Sequence, residues 1–393
     1  MANVSSSNGL EKRPKLRFPG FDDPWKVFKA EELFQSITDR NHPDETVLTI
    51  IQGKGTLPRE QAGRNIHYDD ASLSNYKKVE QGDFIIHLRS FEGGLEMANE
   101  AGIVSPAYTI LRCKRPHSSL FYDAYFHTDE FINHNLSKSV EGIRDGRQIS
   151  YEAFKWLGIP YCEPTEQEKI STLFSAFNER IAKQRDLVES LKKYKRGVVK
   201  AIMTKQIRFV DKNGKPYPEW SACTLQDAVD FLDGQRKPLE SADRAKRQGK
   251  YPYYGASGII DSIDDYIFDE PLILLGEDGA NIINRSSPLC FIATGKYWVN
   301  NHAHVMRPHK GQNIRFLREL LESLDYTRYN TGTAQPKLNQ EKCRTIPLSL
   351  PIYEEQCHIA DFLAALEHKC AQENEELEGI LQTKNALMQQ LFI

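Results

Sequence analysis

The sequence predicts an α+β fold in which two similar domains of mixed strands and short helices are separated by two long helices that pair as an antiparallel coiled coil. Residues 165–191 (TEQEKISTLFSAFNERIAKQRDLVESL) resemble residues 354–380 (EEQCHIADFLAALEHKCAQENEELEGI) at a constant offset of 189. Both segments carry a heptad pattern. Each follows about 150 residues with short strand patterns and turn-rich loops. The chain is therefore expected to contain a pseudo-twofold internal repeat.

The heptad patterns define the predicted helix pairing. The pairing residues are Ile170, Phe177, Ile181, Val188 and Leu191 in the first helix and Leu366, Cys370, Leu377, Ile380 and Leu391 in the second. Residues 164–203 carry 9 Lys/Arg and 5 Asp/Glu, whereas residues 351–393 carry 2 and 8, and opposite charge favours pairing. The alternative is that two unrelated amphipathic helices each pack on their own domain.

An antiparallel arrangement predicts specific neighbours. Ile170 is expected near Leu391, Ile181 near Ile380, and Leu191 near Cys370. Lys195 is expected opposite Leu366, with its aliphatic stem over apolar surface and its amine in water.

The repeat also sets the expected domain boundaries. "KLRF" (15–18) matches "QIRF" (206–209), and each precedes a tryptophan, Trp25 or Trp220. The predicted parts are a disordered lead at 1–13, a first domain at 14–163, a central long helix at 164–203, a second domain at 204–350 and a C-terminal long helix at 351–393.

Composition limits the class of protein. A net charge of −3 and a pI near 6.4 argue mildly against nucleic-acid binding, although the acidity is concentrated in the C-terminal helix. The 7 cysteines are scattered and form no CxxC pair, which argues against disulfides and zinc and favours a reducing cytoplasm. We expect no membrane association, because no apolar run approaches roughly 18 residues and no secretory signal is present.

The sequence predicts no catalytic or metal-binding residue in this chain. It has no GxxxxGK[ST] phosphate loop and no metalloprotease HExxH motif. Asp361, Glu367 and Lys369 imitate a metal-dependent nuclease motif, but they lie on a heptad helix and are expected on its solvated face. His302 and His304 lie on one side of a strand without a third ligand at a useful spacing. Catalysis is therefore expected on another polypeptide.

Polar, glycine-rich loops recur in both halves and supply candidate contacts to DNA. Arg and Lys suit guanine, Asn and Gln suit adenine, and hydroxyl and amide groups suit phosphate oxygens. Any one such loop is more commonly an ordinary turn, so the weight comes from the recurrence. The candidate DNA-binding residues are Lys54, Arg59, Arg64, Arg89, Ser90, Arg144, Arg147 and Gln148 in the first half and Gln235, Arg236, Lys237, Tyr254, Ser257, Asn300, Asn301, His302, Thr331, Thr333, Gln335 and Lys337 in the second.

Nearly the whole chain resembles the specificity subunits of type I restriction–modification enzymes. The resemblance rests on the paired Glu-Gln helices, on "VLTIIQGKGTLPRE" and "GDFIIHLRSFEGGLE" in the first half, and on "YPYYGASGIID", "YWVNNHAHVMRP" and "TGTAQPKL" in the second. It implies two target-recognition domains, each reading one half of a bipartite site in double-stranded DNA.

The resemblance also implies partners and the place of the cofactors. Two modification subunits would dock on the helices, bind AdoMet and methylate adenine, and restriction subunits would hydrolyse ATP and translocate DNA. No cofactor is expected in this chain, since AdoMet, ATP and Mg²⁺ would bind the partner subunits.

Two alternatives belong to other classes. One is a coiled-coil scaffold whose loops bind protein partners without recognising DNA. The other is a self-contained restriction–methylation enzyme, which the missing motifs nearly exclude.

Overall fold

The computed structural model describes residues 11–62, 70–142, 147–332 and 335–392. The chain divides into two units, which are described separately. Unit 1 comprises Met1–Asp186 and Glu375–Ile393, and unit 2 comprises Leu187–Asn374. Both long helices therefore contribute residues to both units. The boundaries predicted from the sequence treat these helices as separate parts and stay a prediction.

Unit 1 mixes short strands with short helices. In chain order its elements are β1 Glu11–Lys12, β2 Trp25–Lys29, α1 Ala30–Leu33, β3 Phe34–Ile37, β4 Leu48–Ile51, β5 Gly55–Pro58, β6 Lys77–Val79, β7 Phe84–Ile86, α2 Ser90–Gly93, β8 Glu96–Met97, β9 Gly102–Val104, β10 Thr109–Cys113, α3 Ser119–Phe126, β11 Val140–Glu141, β12 Gln148–Ile149, α4 Tyr151–Phe154, β13 Gly158–Tyr161 and the first part of α5 Pro164–Met203. Further single helical turns span Arg59–Ala62, Asp70–Asn75, Glu130–Asn135 and Leu136–Ser139.

Unit 2 has the same mixture. Its elements are the rest of α5, β14 Ser221–Thr224, β15 Val229–Phe231, α6 Ser241–Lys246, β16 Gln248–Gly255, β17 Gly258–Ile263, β18 Phe268–Asp269, β19 Leu272–Gly276, α7 Asn281–Asn284, β20 Cys290–Ala293, β21 Lys296–Val299, β22 Ala303–Pro308, α8 Ile314–Ser323, α9 Gln340–Arg344, β23 Pro347–Leu350 and the first part of α10 Tyr353–Phe392. Single helical turns span Leu225–Asp227, Asp233–Gln235 and Thr327–Tyr329.

The sheets are small and almost entirely antiparallel. In unit 1 the strand orders are β1-β2-β13, β3-β10-β7-β8, β4-β5, β6-β9 and β11-β12. In unit 2 they are β14-β23, β15-β22-β19-β20 and β17-β16-β21-β18, and the pair β16–β21 is parallel. In both units the strand that precedes a long helix pairs with a strand near the start of its unit, as Ile159 with Phe28 and Ser349 with Ala222.

An aromatic core fills unit 1. Phe34, Phe84 and Phe126 pack with ring centroids 5.0–6.0 Å apart, a range typical of favourable aromatic pairs. Phe392, at the end of α10, is also fully buried in this core, and its ring lies 6.0 Å from that of Trp25. The last turns of α10 therefore complete the core of the first half of the chain.

The core of unit 2 centres on the fully buried strand β19. All of Leu272–Gly276 is buried, because this strand has neighbours on both edges and both faces are covered. On one face it packs with Leu317 and Leu321 of α8, and the same cluster includes Ile359 and Leu363 of α10.

Within each unit the two long helices pack antiparallel, as predicted. In unit 1, Ile170 shares a core cluster with Leu391, and Ile181 shares one with Leu377 and Ile380. Lys384 donates a 2.8 Å hydrogen bond to the side chain of Asn178. Residues near the start of α5 therefore contact residues near the end of α10, so the two helices run antiparallel.

The same direction holds in unit 2. Val198 and Ile202 of α5 cluster with Ile359 and Leu363 of α10, and Lys195 forms a 3.5 Å ion pair with Glu367. The predicted neighbours Leu191 and Cys370 are both half-buried, and their contact stays a prediction.

Two expectations need correction. The Lys195 amine does not simply reach water: its side chain is 20% exposed, and the amine pairs with Glu367 and lies 3.9 Å from the buried carboxylate of Glu319. The disordered lead does not extend to residue 13, because Glu11 and Lys12 pair in register with Lys26 and Trp25. Residues 1–10 lie outside the described residues.

The repeated Glu-Gln dipeptide fastens each long helix to its unit. In unit 1, Glu166 is 1% exposed and accepts hydrogen bonds from Arg17 (2.7 and 2.9 Å) and from the Trp25 indole (2.9 Å). Gln167 accepts from the backbone of Ser118, where α3 begins, and donates to the carbonyl of Cys162.

Unit 2 repeats this arrangement. The carboxylate of Glu355 accepts from the Trp220 indole at 3.1 Å and forms a 3.5 Å ion pair with Arg208. Gln356 accepts from the backbone of Asn313, where α8 begins, and donates to the carbonyl of Pro351. The sequence matches around "KLRF" and "QIRF" therefore mark one buried polar cluster, formed once in each unit.

Among the described residues, no helix combines the length and apolar character that crossing a membrane requires.

Replacing Glu166 with Ala should destabilise unit 1 by about 3–5 kcal/mol, because it leaves the Arg17 guanidinium and the Trp25 indole without their buried acceptor. Urea titrations would measure the loss in the free energy of unfolding. Hydrogen exchange of the Trp25 indole would measure how much more often the site around it opens. The matched control is Glu168→Ala, an exposed acid two residues away, which should change stability by less than about 0.5 kcal/mol. Equal effects of the two substitutions would contradict this role for Glu166.

Candidate nucleic-acid interface

Five of the polar, glycine-rich stretches expected as loops in the second half of the chain, residues 233–239, 251–260, 276–282, 299–305 and 329–339, meet one another in unit 2. The amide of Glu277 donates to the carbonyl of His302 (2.8 Å), and the amide of Leu338 donates to the carbonyl of Glu277 (2.7 Å). The amide of Asn300 donates to the carbonyl of Tyr254 (3.0 Å). Segments 251–260, 276–282, 299–305 and 329–339 are thus joined through their main chains, although most of 251–260 and part of 299–305 form strands (β16, β17, β21 and β22) instead of loops.

Asp233 joins the fifth loop, 233–239, to the same cluster. Its Oδ1 accepts from the amide of Val305 at 2.8 Å, and its Oδ2 accepts from Nδ1 of His304 (2.6 Å) and from the side-chain amide of Gln340 (2.7 Å). The carboxylate is buried, with 9% of the residue exposed. One buried acid therefore receives hydrogen bonds from three residues on two separate segments, β22 and the start of α9.

His304 is held as an imidazolium. Its Nε2 lies 2.9 Å from the carbonyl of Leu338, which can only accept, while Nδ1 faces the Asp233 carboxylate. Burial is the largest single influence on the pKa of His304 and lowers it, but the hydrogen bond to Asp233, the interaction with Cys343 and the charge of Asp233 together raise the pKa to about 10. The same bond lowers the pKa of Asp233, although burial opposes it.

Arg236 completes this internal network. Its Nη1 donates to Glu277 Oε2 and to the carbonyl of Ala303, both at 2.7 Å, and its side chain is 14% exposed. Glu277 also receives Lys337 Nζ at 3.3 Å. Arg236 was predicted as a DNA-binding residue, but its guanidinium is directed into the protein.

Asp233, Glu277 and His304 also form the kind of group that can hold a metal ion, since their ligand atoms all lie within 4.8 Å of one another. We interpret the group as a hydrogen-bond network instead. Both ring nitrogens of His304 are engaged, and Arg236 already supplies positive charge to the carboxylates. His302 does not join the group but pairs with Asp278 at 2.7 Å.

The resemblance of Asp361, Glu367 and Lys369 to a nuclease motif does not survive in the structure. Asp361 pairs with Arg315 at 2.6 Å, Lys369 pairs with Glu373, and the side chains of Asp361 and Glu367 are each more than half exposed. These groups form ion pairs on the solvent-exposed faces of helices, as expected from the sequence.

Around the buried network of unit 2 lies a set of exposed donors and acceptors. The predicted contact residues that are exposed here are Gln235, Lys237, Ser257, Asn301, His302, Thr331, Gln335 and Lys337. Two others are less accessible: Asn300 is 4% exposed and accepts from the amide of His302, and Tyr254 is half-buried and stacks on Phe291. Thr333 lies outside the described residues.

The sequence missed two kinds of residue at this site. Asp233 and Glu277 lie in the polar stretches, but nothing in the sequence indicated that these two acids are buried and support the candidate DNA contacts. Ile259 and Ile260, beside Ser257, are 59% and 52% exposed and could be suspected only from an apolar pair in a glycine-rich loop. Exposed apolar side chains suit contact with the thymine methyl group.

In unit 1 a buried acid also organises a candidate loop. Glu96 is 0% exposed and accepts from the amides of Gly53 (2.6 Å) and Gly55 (2.9 Å). Both glycines have positive φ, 73° and 76°, which other residues rarely adopt. The exposed Lys54 lies between them at the tip of the loop.

His127 lies on the other side of this carboxylate. Its Nε2 is 3.4 Å from Glu96 Oε1, and its Nδ1 is 2.7 Å from the carbonyl of Asp123. Burial lowers the pKa of His127, but the hydrogen bond to Glu96 and the charges of Asp123 and Glu96 together raise it to about 9. A Cβ added to Gly93 would collide with the Gln52 side chain, so the end of α2, three residues before Glu96, closely approaches the segment around Gln52.

The other candidates of unit 1 fall into several environments. Arg89 and Arg147 are exposed and both approach Glu92, at 2.5 and 3.9 Å, and Arg147 also covers the Phe91 ring. Gln148 is exposed on β12, whereas Ser90 is fully buried and accepts from the amide of His87. Arg59 is half-buried beside Tyr76. Arg64 and Arg144 lie outside the described residues.

Comparison with known proteins confirms the resemblance found in the sequence. Residues 217–382 match the family model "Type I restriction modification DNA specificity domain". A protein of Haemophilus influenzae named as a type I restriction enzyme specificity subunit is 32% identical over 148 residues, 38% of this chain and 37% of its own. The MjaVIII specificity subunit of Methanocaldococcus jannaschii is 22% identical over 343 residues, 80% of this chain and 79% of its own.

The Haemophilus alignment thus spans just over a third of that relative, and the alignment with the Escherichia coli EcoprrI specificity subunit spans 34% of its length at 26% identity.

Solved structures show the fold over nearly the whole chain. The type I restriction–modification S subunit of M. genitalium has a TM-score of 0.57 at 15% identity, covering 97% of this chain and 99% of its own. The HsdS subunit of Thermoanaerobacter tengcongensis has a TM-score of 0.50 at 16% identity, covering 97% and 98%.

The His304 imidazole should stay protonated at pH 8 in the folded protein and titrate near pH 10, because Asp233 and the Leu338 carbonyl both accept its protons. Its contribution to stability should be complete below its unfolded pKa of 6.5 and should disappear as the pH rises through about 10. Long-range ¹H–¹⁵N NMR of histidine-labelled protein would measure this. Asp233→Asn should lower the pH midpoint of the His304 titration. The control Asp230→Asn alters an exposed acid on β15 and should leave that midpoint unchanged. A His304 midpoint near pH 6.5 in the folded wild-type protein would refute the assignment.

Proposed function

Residues 217–382 match the family model of the type I restriction modification DNA specificity domain, and from that premise we propose that this chain recognises DNA sequence for a restriction–modification complex. Unit 1 and unit 2 each read one half of a bipartite target in double-stranded DNA. The long helices dock two modification subunits, and restriction subunits join the complex. This chain performs no catalytic step, and AdoMet, ATP and Mg²⁺ act on the partner subunits in the cytoplasm.

The meeting of five loops in unit 2 is the observation that carries this proposal. It brings together segments from distant parts of the sequence that carry exposed amide, ammonium and hydroxyl groups within the family-matched residues. Asn301 and Gln335 can pair with the two hydrogen-bonding atoms of an adenine edge. Lys237 and Lys337 suit guanine or a phosphate oxygen.

Ion pairs within the unit hold part of this surface in place before DNA arrives. Lys337 pairs with Glu277 and His302 pairs with Asp278. A phosphate or a base edge must compete with these carboxylates, so the cations contribute less to indiscriminate attraction than unpaired ones would. The arrangement favours contacts in which several groups fit together.

A selection experiment tests the proposal directly. The full chain, assembled with its modification subunits, would be incubated with a pool of random double-stranded DNA, and the bound molecules would be sequenced. Recognition predicts enrichment of a motif with two separate specific halves. A scaffold that binds only protein partners would enrich no motif, and that result would overturn the proposal.

Gln335→Ala and Lys337→Ala should weaken recognition of one half-site only. Removing a base contact would cost about 1–3 kcal/mol and relax one base position, whereas removing a phosphate contact would weaken binding evenly and lower its salt dependence. Titration of wild-type and mismatched DNA at several salt concentrations separates the two. Lys310→Ala removes an exposed lysine of unit 2 outside the five loops and is the matched control. If the other half-site shifts, or neither substitution matters, the loop assignment is wrong.

The purified chain supplied with AdoMet, ATP, Mg²⁺ and its target DNA should neither methylate nor cut it. Adding the modification subunits should restore methyl transfer to adenine. Incorporation of labelled methyl groups and gel analysis of the DNA would measure both activities. Methyl transfer by this chain without a second polypeptide would contradict the assignment.

A further inference from the structure

Each unit contains a buried acid that hydrogen-bonds to its candidate reading segments from the protein interior. In unit 2, Asp233 joins the segments that carry His304, Val305 and Gln340. In unit 1, Glu96 binds the amides of Gly53 and Gly55 on either side of Lys54. The two acids lie in different local folds, β8 for Glu96 and a helical turn for Asp233.

Neither acid is placed to touch DNA. Glu96 is 0% exposed and Asp233 9% exposed, and a carboxylate would in any case repel phosphate. Each also has an imidazole beside it, His127 and His304 respectively, that balances its charge within the protein. The energetic cost of burying each acid is therefore offset locally, and its oxygen atoms remain committed to the loops.

In unit 2, Arg236 extends the network to the remaining loops. Its guanidinium contacts Glu277 and the carbonyl of Ala303, and Asp233 Oδ2 lies 3.5 Å from its Nη2. Glu277 in turn binds the exposed Lys337. A change at Asp233 or Arg236 can therefore move donors on loops that neither residue belongs to.

We propose that Asp233 and Glu96 are positioning residues for target recognition, each setting the base preference of its own unit's half-site without contacting DNA. Arg236 belongs to the same group. This inference rests on the proposed function. Its physical basis is that base discrimination requires side chains to be held within about 0.5 Å of the productive geometry by supporting hydrogen bonds.

The inference differs from two plainer roles in measurable ways. A residue that only stabilises the fold would weaken binding to all sequences alike and leave base preference unchanged. Replacing a residue that neutralises a phosphate would lower the salt dependence of binding by about 0.9 for each phosphate left without its cation. A positioning residue changes the preference within one half-site at constant salt dependence.

The experiment uses the full chain assembled with its modification subunits and random double-stranded DNA. Asp233→Asn and Glu96→Gln keep the side-chain size but replace a carboxylate oxygen that accepts hydrogen bonds with a donor. Each should reduce discrimination against mismatched bases about tenfold, the first in one half-site and the second in the other. The matched controls are Asp230→Asn and Glu100→Gln, which alter exposed acids of the same units and should leave both preferences unchanged.

Arg236 supplies a further test. Arg236→Met should relax the same half-site as Asp233→Asn while the slope of log affinity against log salt stays at the wild-type value. Arg236→Lys, which keeps a donor for Glu277, should recover part of the preference. A slope reduced by about 0.9 for Arg236→Met would show a phosphate contact and remove Arg236 from the positioning group.

The outcomes separate this inference from the proposed function. If the wild-type complex enriches no bipartite motif, the proposed function fails. If it enriches one but Asp233→Asn and Glu96→Gln leave base preference intact, or weaken both half-sites evenly, the positioning inference fails alone. Should Asp233→Asn not fold, Gln340→Ala removes only one of the three donors to Asp233 and must relax the same half-site; an unchanged preference overturns the inference for unit 2.

Discussion

The buried Glu-Gln dipeptide at the start of each long helix is the interaction on which the rest of each unit depends. A buried carboxylate is costly unless its partners are fixed, and Glu166 and Glu355 both find theirs in a tryptophan indole and an arginine from the start of the same unit. The adjacent glutamines bind the backbone where α3 and α8 begin. In each unit the start of the long helix, a tryptophan at or next to the start of a strand, and the start of a second helix are thereby joined at one point.

The candidate interface uses the same physical device on a smaller scale. Asp233 and Glu96 are buried acids whose oxygen atoms bind main-chain amides and an imidazole, so the loops above them have defined conformations. Loops are otherwise the more mobile parts of a domain. Placing the fixed charge beneath the loops leaves their outer surface free to differ in side chains while the backbone geometry is retained.

The pairing of charges at the candidate interface shows why the net charge of the whole chain is only weak evidence against DNA binding. Several cations of the candidate surface pair with acids of their own unit, as Lys337 does with Glu277, His302 with Asp278 and Arg89 with Glu92. A net charge of −3 therefore describes the chain but not the local balance at the loops. Under the proposed function, specificity comes from fitted hydrogen bonds more than from bulk positive potential.

The sequence by itself determined the features that depend on periodicity and repetition: the mixed fold, the two long helices, their antiparallel direction within each unit and the matching strands beside them. A heptad pattern indicates which face of a helix is buried, and the internal repeat indicates that a second helix has an equivalent buried face. It also located the polar loops of unit 2. It could not show that Arg236, Asn300 and Ser90 are directed inward, or that Asp233 and Glu96 lie beneath the loops. Those facts depend on contacts between residues far apart in the chain, such as Asp233 with Gln340, and only the tertiary structure decides which polar side chain meets solvent and which meets another side chain.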